Sequence, residues 1–431
     1  MTGEASATDA STPDRGDRSA AEASTATFES LGIPEYRLLF VAGLISFLAV
    51  QAQVVARGWL ANELTGDNTG LGGVYMAFGV PLLVATPFGG VLADRLSKRN
   101  ILITTQLALG ASAAWLGFGV LADFVEYWML LAVSVIQAVS FAFLGPARIS
   151  MTTEVVGRRL LTNAIVLGQM SINSTRVFGP ALAGIGIGIA WFGVAGVYLA
   201  SAAFSVVAML ALLPLPGGRS DPTRPRRSVR SEFGEALGYV SREREIGILV
   251  VTSFVVVMMG FPYLAFLPRI ATELLDVGAA GYGALSAASA VGALAVSVWV
   301  AGRGDRRSMW RIQATSGVLF GVAIIGLAVA PGIGAALLVI VVVGGAASGF
   351  QGMNNSLALG LADFEYHGRI QSLMMLSFSG FGMASLPLGG LADAVGLRPT
   401  LAVMGSVIVV AMLVSTAALR SARQRQSTSL A

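Results

Sequence analysis

The sequence predicts an all-helical membrane protein, with twelve transmembrane helices arranged as two six-helix, pseudo-symmetric halves. Three observations carry this reading. Hydrophobic residues occupy 55% of the 431 positions and charged residues only 12%, about half the charged share of a soluble domain. Apolar runs of about 20 residues, enough to cross a hydrocarbon core about 30 Å thick, recur along the chain. The basic residues fall in short segments between those runs, and nearly all of them map to one side.

Residues 1–34 are rich in Ala, Ser, Thr, Asp and Glu and show no apolar period. They read as a disordered tail, and no apolar core follows a basic stretch as in a signal peptide. The first half, 35–213, holds spans near 37–61, 70–93, 101–121, 127–149, 162–188 and 190–213. A polar linker covers 214–245. The second half, 246–420, holds spans near 247–270, 280–301, 312–330, 333–361, 370–394 and 399–419, and a short tail, 421–431, follows.

Twelve spans place the basic residues consistently. With the N-terminus inside, 24 of the 28 basic residues fall in cytoplasmic segments. Only Arg57, Arg269 and Arg398 fall towards the outer side, and Arg176 falls inside a span. Dropping one span would scatter the basic loops over both sides. The expected location is therefore the cytoplasmic (inner) membrane, with the linker and both tails in the cytoplasm.

Composition also excludes function classes. Cysteine is absent and His367 is the only histidine, so no thiolate or histidine cluster can hold a metal. No Gly-x-x-x-x-Gly-Lys-[Ser/Thr] loop cradles a nucleotide. The basic residues follow topology and form no nucleic-acid face. The expectation is a protein that is not an enzyme, without cofactor or metal. Its expected partners are a small-molecule substrate and the lipid bilayer, with a proton gradient as the energy source, and the expected assembly is a monomer.

The halves repeat. GGVLADRLSKRN (89–100) ends the second span, and VAGRGDRRSMWR (300–311) ends the eighth. Pro180 and Pro387 occupy matching places in the fifth and eleventh spans. Internal repeats of this kind are a usual build of secondary transporters.

At these residues the chain resembles the major facilitator superfamily, over nearly all of 36–420. The superfamily loop motif G-x-L-A-D-R-x-G-R-[KR] reads here Gly90-Val91-Leu92-Ala93-Asp94-Arg95-Leu96-Ser97-Lys98-Arg99, with Ser97 in place of Gly. The exporter-associated motif G-x-x-x-G-P-x-x-G-G keeps Gly179, Pro180 and Gly184, while Thr175 and Ala183 depart from it. Arg57-Gly58-Trp59-Leu60, followed by Glu63-Leu64-Thr65-Gly66, is similar to the branch of bacterial siderophore exporters of the enterobactin type.

The resemblance implies a conformational latch of Gly90, Asp94, Arg95 and Arg99, with a second copy at Asp305 and Arg306. Asp94 would sit near the N-terminus of the eleventh helix, around 368–371, where the partial positive charge favours a carboxylate. The plain alternative is that these arginines only set topology. Gly179, Pro180, Gly184 and Pro387 are candidate helix-bend positions, since proline removes a backbone donor inside a span. A static kink that only packs is the other reading.

Polar side chains inside spans are costly in lipid and turn inward. Gln169, Asn173 and Arg176 share one face of the fifth span. Ser348, Gln351 and Asn355 form a stripe on the tenth, with Asn354 beside it. Gln51, Gln53 and Arg57 lie on the first span and Gln137 on the fourth, while Met258 and Tyr263 belong to an apolar wall around the seventh. The superfamily lines its cavity with these helices, so the resemblance makes the set a candidate substrate path; ordinary helix–helix hydrogen bonding is the alternative. No Asp or Glu occupies the middle of a span, so a neutral or anionic solute fits the lining better than a cation. The expected function is secondary active export of a small siderophore- or drug-like solute by alternating access. An importer or facilitator of a small polar solute is the alternative. A non-transporting receptor or intramembrane enzyme is the alternative of another class.

Overall fold

The computed structural model describes residues 28–217, 229–301, 306–363 and 366–429, and every regular element among them is helical. Before the linker come α1 (Pro34–Thr65), α2 (Asn68–Arg95), α3 (Lys98–Leu121), α4 (Tyr127–Gly188) and α5 (Gly193–Leu212). After it come α6 (Val229–Arg242), α7 (Arg244–Gly260), α8 (Tyr263–Arg269), α9 (Ala279–Ala301), α10 (Arg306–Ala328), α11 (Ile333–Leu361), α12 (His367–Val395) and α13 (Leu397–Ser429). A short π turn, Ile270–Leu274, follows α8.

Local chemistry sets the helix ends. Pro34 opens α1 at a position where its missing N–H costs nothing. The Asp67 carboxylate accepts from Gly70 N at 2.5 Å and caps α2. Ser97 accepts from Asn100 N at 3.4 Å and caps α3. Within the 62 residues of α4 the chain reverses at Gly157 (φ 67°, ψ 178°), a conformation that a side chain would strain. The fourth and fifth expected spans thus join without the loop expected between them. Pro180 and Pro387 lie inside continuous helix.

Ten helices among the described residues are long and apolar enough to cross a membrane. Apolar side chains also cover the outer surface, with Phe88, Val298 and Leu338 all more than 60% exposed. A soluble fold could not leave so much apolar surface in water. The chain is therefore a multi-pass membrane protein. The expected spans at 162–188 and 370–394 are helical, within α4 and α12; each contains side chains outside the described residues, and neither is among the ten.

Three boundaries differ from expectation. The expected N-terminal tail, 1–34, includes a 3-10 turn, Glu29–Gly32, just before α1. The linker contains α6, whose Tyr239 ring stacks on Tyr366 at 3.9 Å. The Tyr239 hydroxyl donates to Asp363 Oδ2 at 3.2 Å and accepts from Asp363 N at 3.1 Å. Burial first, and the Asp363 carboxylate with it, raise that phenol above its ordinary value. His367, expected in the loop before the eleventh span, is the first residue of α12.

The linker and the start of α1 share one end of the bundle, the linker side. The turns around 122–126, 189–192 and 329–332 mark the far side. α2 lies along α12, and the second stretch of α4 approaches α9. There, a Cβ at Gly184 would stand 2.3 Å from Gly283 Cα, so only glycine permits the approach. The buried apolar clusters differ between the two ends. On the far side one large cluster unites helices from before and after the linker, including Val55, Trp59, Tyr75, Ile187, Tyr282, Leu285, Leu388 and Leu401. On the linker side the clusters separate. Leu39, Leu102, Met151 and Leu212 belong to one, Tyr36, Val156 and Leu167 to another, and Ile246, Leu249, Leu357 and Ile370 to a third. Among the described residues, none of these three mixes helices from both sides of the linker.

Candidate substrate path

The second stretch of α4 shows two exposed stripes on opposite faces. Phe178, Leu182 and Ile185 form one stripe, at 56%, 54% and 65% exposure. With about 100° between successive residues, Arg176 lies about 160° from Phe178, on the opposite face. Ile165 and Gln169 align with Arg176 there, and all three are exposed. Ala183 and Ile187 continue the same stripe towards the far side but are buried, at 1% and 8%. One face of one helix is thus open on the linker side and packed on the far side. Arg176 makes no hydrogen bond or ion pair with a described residue.

Arg57 sits differently. It is 2% exposed and belongs to a chain of side chains between α1 and α4. Its Nη1 donates to Gln137 Oε1 at 2.6 Å and to Ser134 Oγ at 3.3 Å. Gln137 Nε2 donates to Gln53 Oε1 at 2.6 Å. The orientation follows from Arg57, which can only donate: Gln137 must present its oxygen to Arg57 and its amide nitrogen to Gln53. The guanidinium also lies over Tyr75 at 5.7 Å and Phe78 at 5.6 Å. No carboxylate among the described residues pairs with it. The sequence placed Arg57 towards the outer end of the first span and on the candidate path; in the structure it is buried there among side chains of α1, α2 and α4.

The helices after the linker contribute fewer open groups. Asn354 is buried, accepting from Gln313 Nε2 at 3.2 Å and donating to Leu249 O at 3.3 Å. Tyr263 and Ser289 share a hydrogen bond of 2.9 Å between α8 and α9. Met258 packs against Gly380 on α12. Gln51, Gln351 and Asn355 are half-buried, and the side chain of Asn173 lies outside the described residues. An aromatic series, Tyr75–Phe381 (5.2 Å), Phe381–Phe261 (6.5 Å) and Phe261–Phe320 (6.0 Å), crosses from α2 to α12, the α7–α8 turn and α10. On the linker side of the latch motif, Gly90, Asp94 and Arg95 fall in the last turns of α2. The side chains of Asp94, Arg95 and Arg306 lie outside the described residues, as does all of Asp305. Arg99 is half-buried, and Lys98 pairs with Glu154.

Sequence reasoning did not single out Asp393. At the far end of α12 it accepts from Asn68 N and Asn68 Nδ2, both at 2.9 Å, and from Thr69 N at 2.8 Å and Thr69 Oγ1 at 2.5 Å. It also missed the tyrosines beside Arg57. Tyr282 donates to Val55 O at 3.1 Å and stacks on Trp59 at 5.7 Å, joining α9 to α1.

The family model described as transmembrane secretion effector matches residues 25–431. The chain is 22% identical over 386 residues to the staphyloferrin A transporter of Staphylococcus aureus, covering 88% of this chain and 94% of that one. It is 25% identical over 375 residues to the multidrug efflux pump Tap of Mycolicibacterium fortuitum, covering 84% and 90%. Among solved structures it resembles a bacterial homolog of the human lysosomal transporter Spinster, inward-facing and unoccupied. There the TM-score is 0.71 at 15% identity, over 90% of this chain and 96% of that one. The nucleoside transporter NupG is similar in fold, with a TM-score of 0.68 at 14% identity, over 89% and 99%. The relatives are transporters rather than enzymes, and the chain belongs to the transmembrane secretion effector family of the major facilitator superfamily.

Proposed function

We propose that this protein is a secondary active exporter of a small anionic or neutral solute, working by alternating access. Twelve spans form two six-helix halves, with both termini and the linker in the cytoplasm. The stripe on α4 carries the reading. Ile165, Gln169 and Arg176 are exposed where Ala183 and Ile187 are buried, as expected of a cavity open to the linker side and sealed at the far side. In this reading the solute meets Gln51, Gln169, Arg176, Gln351 and Asn355, and the buried Gln53–Arg57–Gln137 chain holds the wall behind them. A family described by secretion, with an efflux pump among the relatives, supports export.

Arg176 lies 19 residues past Gly157 and 12 before Gly188, about 28 Å and 18 Å from the two ends of this stretch. A guanidinium at such depth costs at least about 2.5 kcal/mol on insertion scales. A solute anion offsets that cost. The test uses everted membrane vesicles with an imposed pH gradient and two probes, anionic carboxyfluorescein and cationic ethidium. Gradient-dependent uptake of carboxyfluorescein is expected, falling to background in Arg176→Ala and partly retained in Arg176→Lys, whose ammonium lacks the planar fork. Ethidium uptake unaffected by Arg176→Ala, with no carboxyfluorescein movement, contradicts the anionic reading.

A further inference from the structure

Asp393 joins the two sets of helices at the far side. Its carboxylate receives four hydrogen bonds from Asn68 and Thr69, the first residues of α2. Both backbone N–H groups belong to the unpaired first turn of that helix, which carries partial positive charge. Asp67, already capping the same turn through Gly70 N, is the acid nearest along the chain, and no cation among the described residues pairs with Asp393. The hold therefore comes from the helix N-terminus and the hydrogen bonds.

The backbones meet closely around it. A Cβ at Gly389 would stand 2.4 Å from Asn68 O, and one at Gly72 would stand 2.3 Å from Ser385 O. The local sequence also recurs. Gly389-Gly390-Leu391-Ala392-Asp393 at the far end of α12 echoes Gly89-Gly90-Val91-Leu92-Ala93-Asp94 at the linker-side end of α2. The two helices are antiparallel, so the α12 string ends beside the first turn of α2, and the α2 string lies at the opposite, linker-side end.

We propose that Asp393 is the far-side gating residue of the transport cycle: its seat on the first turn of α2 holds that side shut, and it must leave the seat for solute to exit. This rests on the alternating-access reading given above. The reciprocal seat, Asp94 on the start of α12, would close the linker side in the other half of the cycle.

The test measures opening and needs no substrate. The chain has no cysteine, so Ala183→Cys, buried on the α4 stripe, reports alone. It is labelled on intact cells with a membrane-impermeant maleimide, in backgrounds with Asp393 intact, Asp393→Asn, Asp393→Ala and Asp393→Glu. Neutralising a carboxylate at a helix N-terminus predicts labelling about two- to five-fold faster in Asp393→Asn, at least as fast in Asp393→Ala, and near the unsubstituted rate in Asp393→Glu. Equal rates in all four backgrounds overturn the proposal. So does a lower melting temperature in Asp393→Asn with unchanged labelling, which would make the contact a static brace. Failure of dye transport in vesicles bears on the transport reading and leaves the labelling result standing.

Discussion

At the scale of single residues, the structure separates polar groups that sequence reading treated alike. Gln137 and Gln351 were both candidate lining amides. Gln137 is 1% exposed and bonded on both sides, to Arg57 and to Gln53, whereas Gln351 is half-buried and makes no hydrogen bond with a described residue. Gln137→Leu leaves Arg57 with only the longer bond to Ser134 and strands the Gln53 oxygen. Hydrogen bonds to charged groups contribute about 1.5–3 kcal/mol, so thermal unfolding in detergent is expected at a clearly lower temperature. Gln351→Leu is expected to leave the melting temperature within a degree or two while changing the apparent KM for dye. If both substitutions shift melting equally, the distinction between wall and path fails. That Gln53 and Arg57 share a face was legible from their spacing, and their meeting with Gln137 was an expectation from the superfamily resemblance. Their burial was not, because Ser134, Tyr75 and Tyr282, which close around them, carry no helical-stripe signal of their own.

At the scale of elements, hydropathy and arginine placement located nearly every helix, since lipid forces long apolar runs and charges collect at their ends. Two features depended on pairing between distant segments and so were hidden. One is the abrupt reversal at Gly157, which reads in sequence as an ordinary glycine within a polar stretch. The other is the contact of α4 with α9. Gly184 was legible as part of an exporter-associated motif, but a bend was the expected role. Its position against Gly283 gives it a second one, permitting the two backbones to meet when the far side is shut. Gly184→Leu places a branched side chain where a Cβ alone already stands 2.3 Å from Gly283 Cα. The expected result is normal membrane insertion, loss of dye transport, and faster maleimide labelling of Ala183→Cys from outside. Wild-type transport by Gly184→Leu would show that the closed approach is not required.

At the scale of the whole molecule, the account depends on one claim: the far side must open for transport. In the proposed cycle the far-side cluster, the Asp393 seat and the Gly184–Gly283 approach belong to a single closed arrangement. Transport by alternating access requires that arrangement to come apart and re-form in every cycle. Gly188 on α4 and Ala280 on α9 make this directly testable. Both are exposed at the far side, and a Cβ built at Gly188 stands 3.8 Å from Ala280 Cβ, within the span of a disulfide, about 3.5–4.5 Å. The decisive measurement is dye uptake into everted vesicles by Gly188→Cys/Ala280→Cys, oxidised and then reduced, with each single cysteine as control. The account predicts that oxidation abolishes uptake in the double variant alone and that reductant restores it. Undiminished uptake with the bridge formed would contradict it.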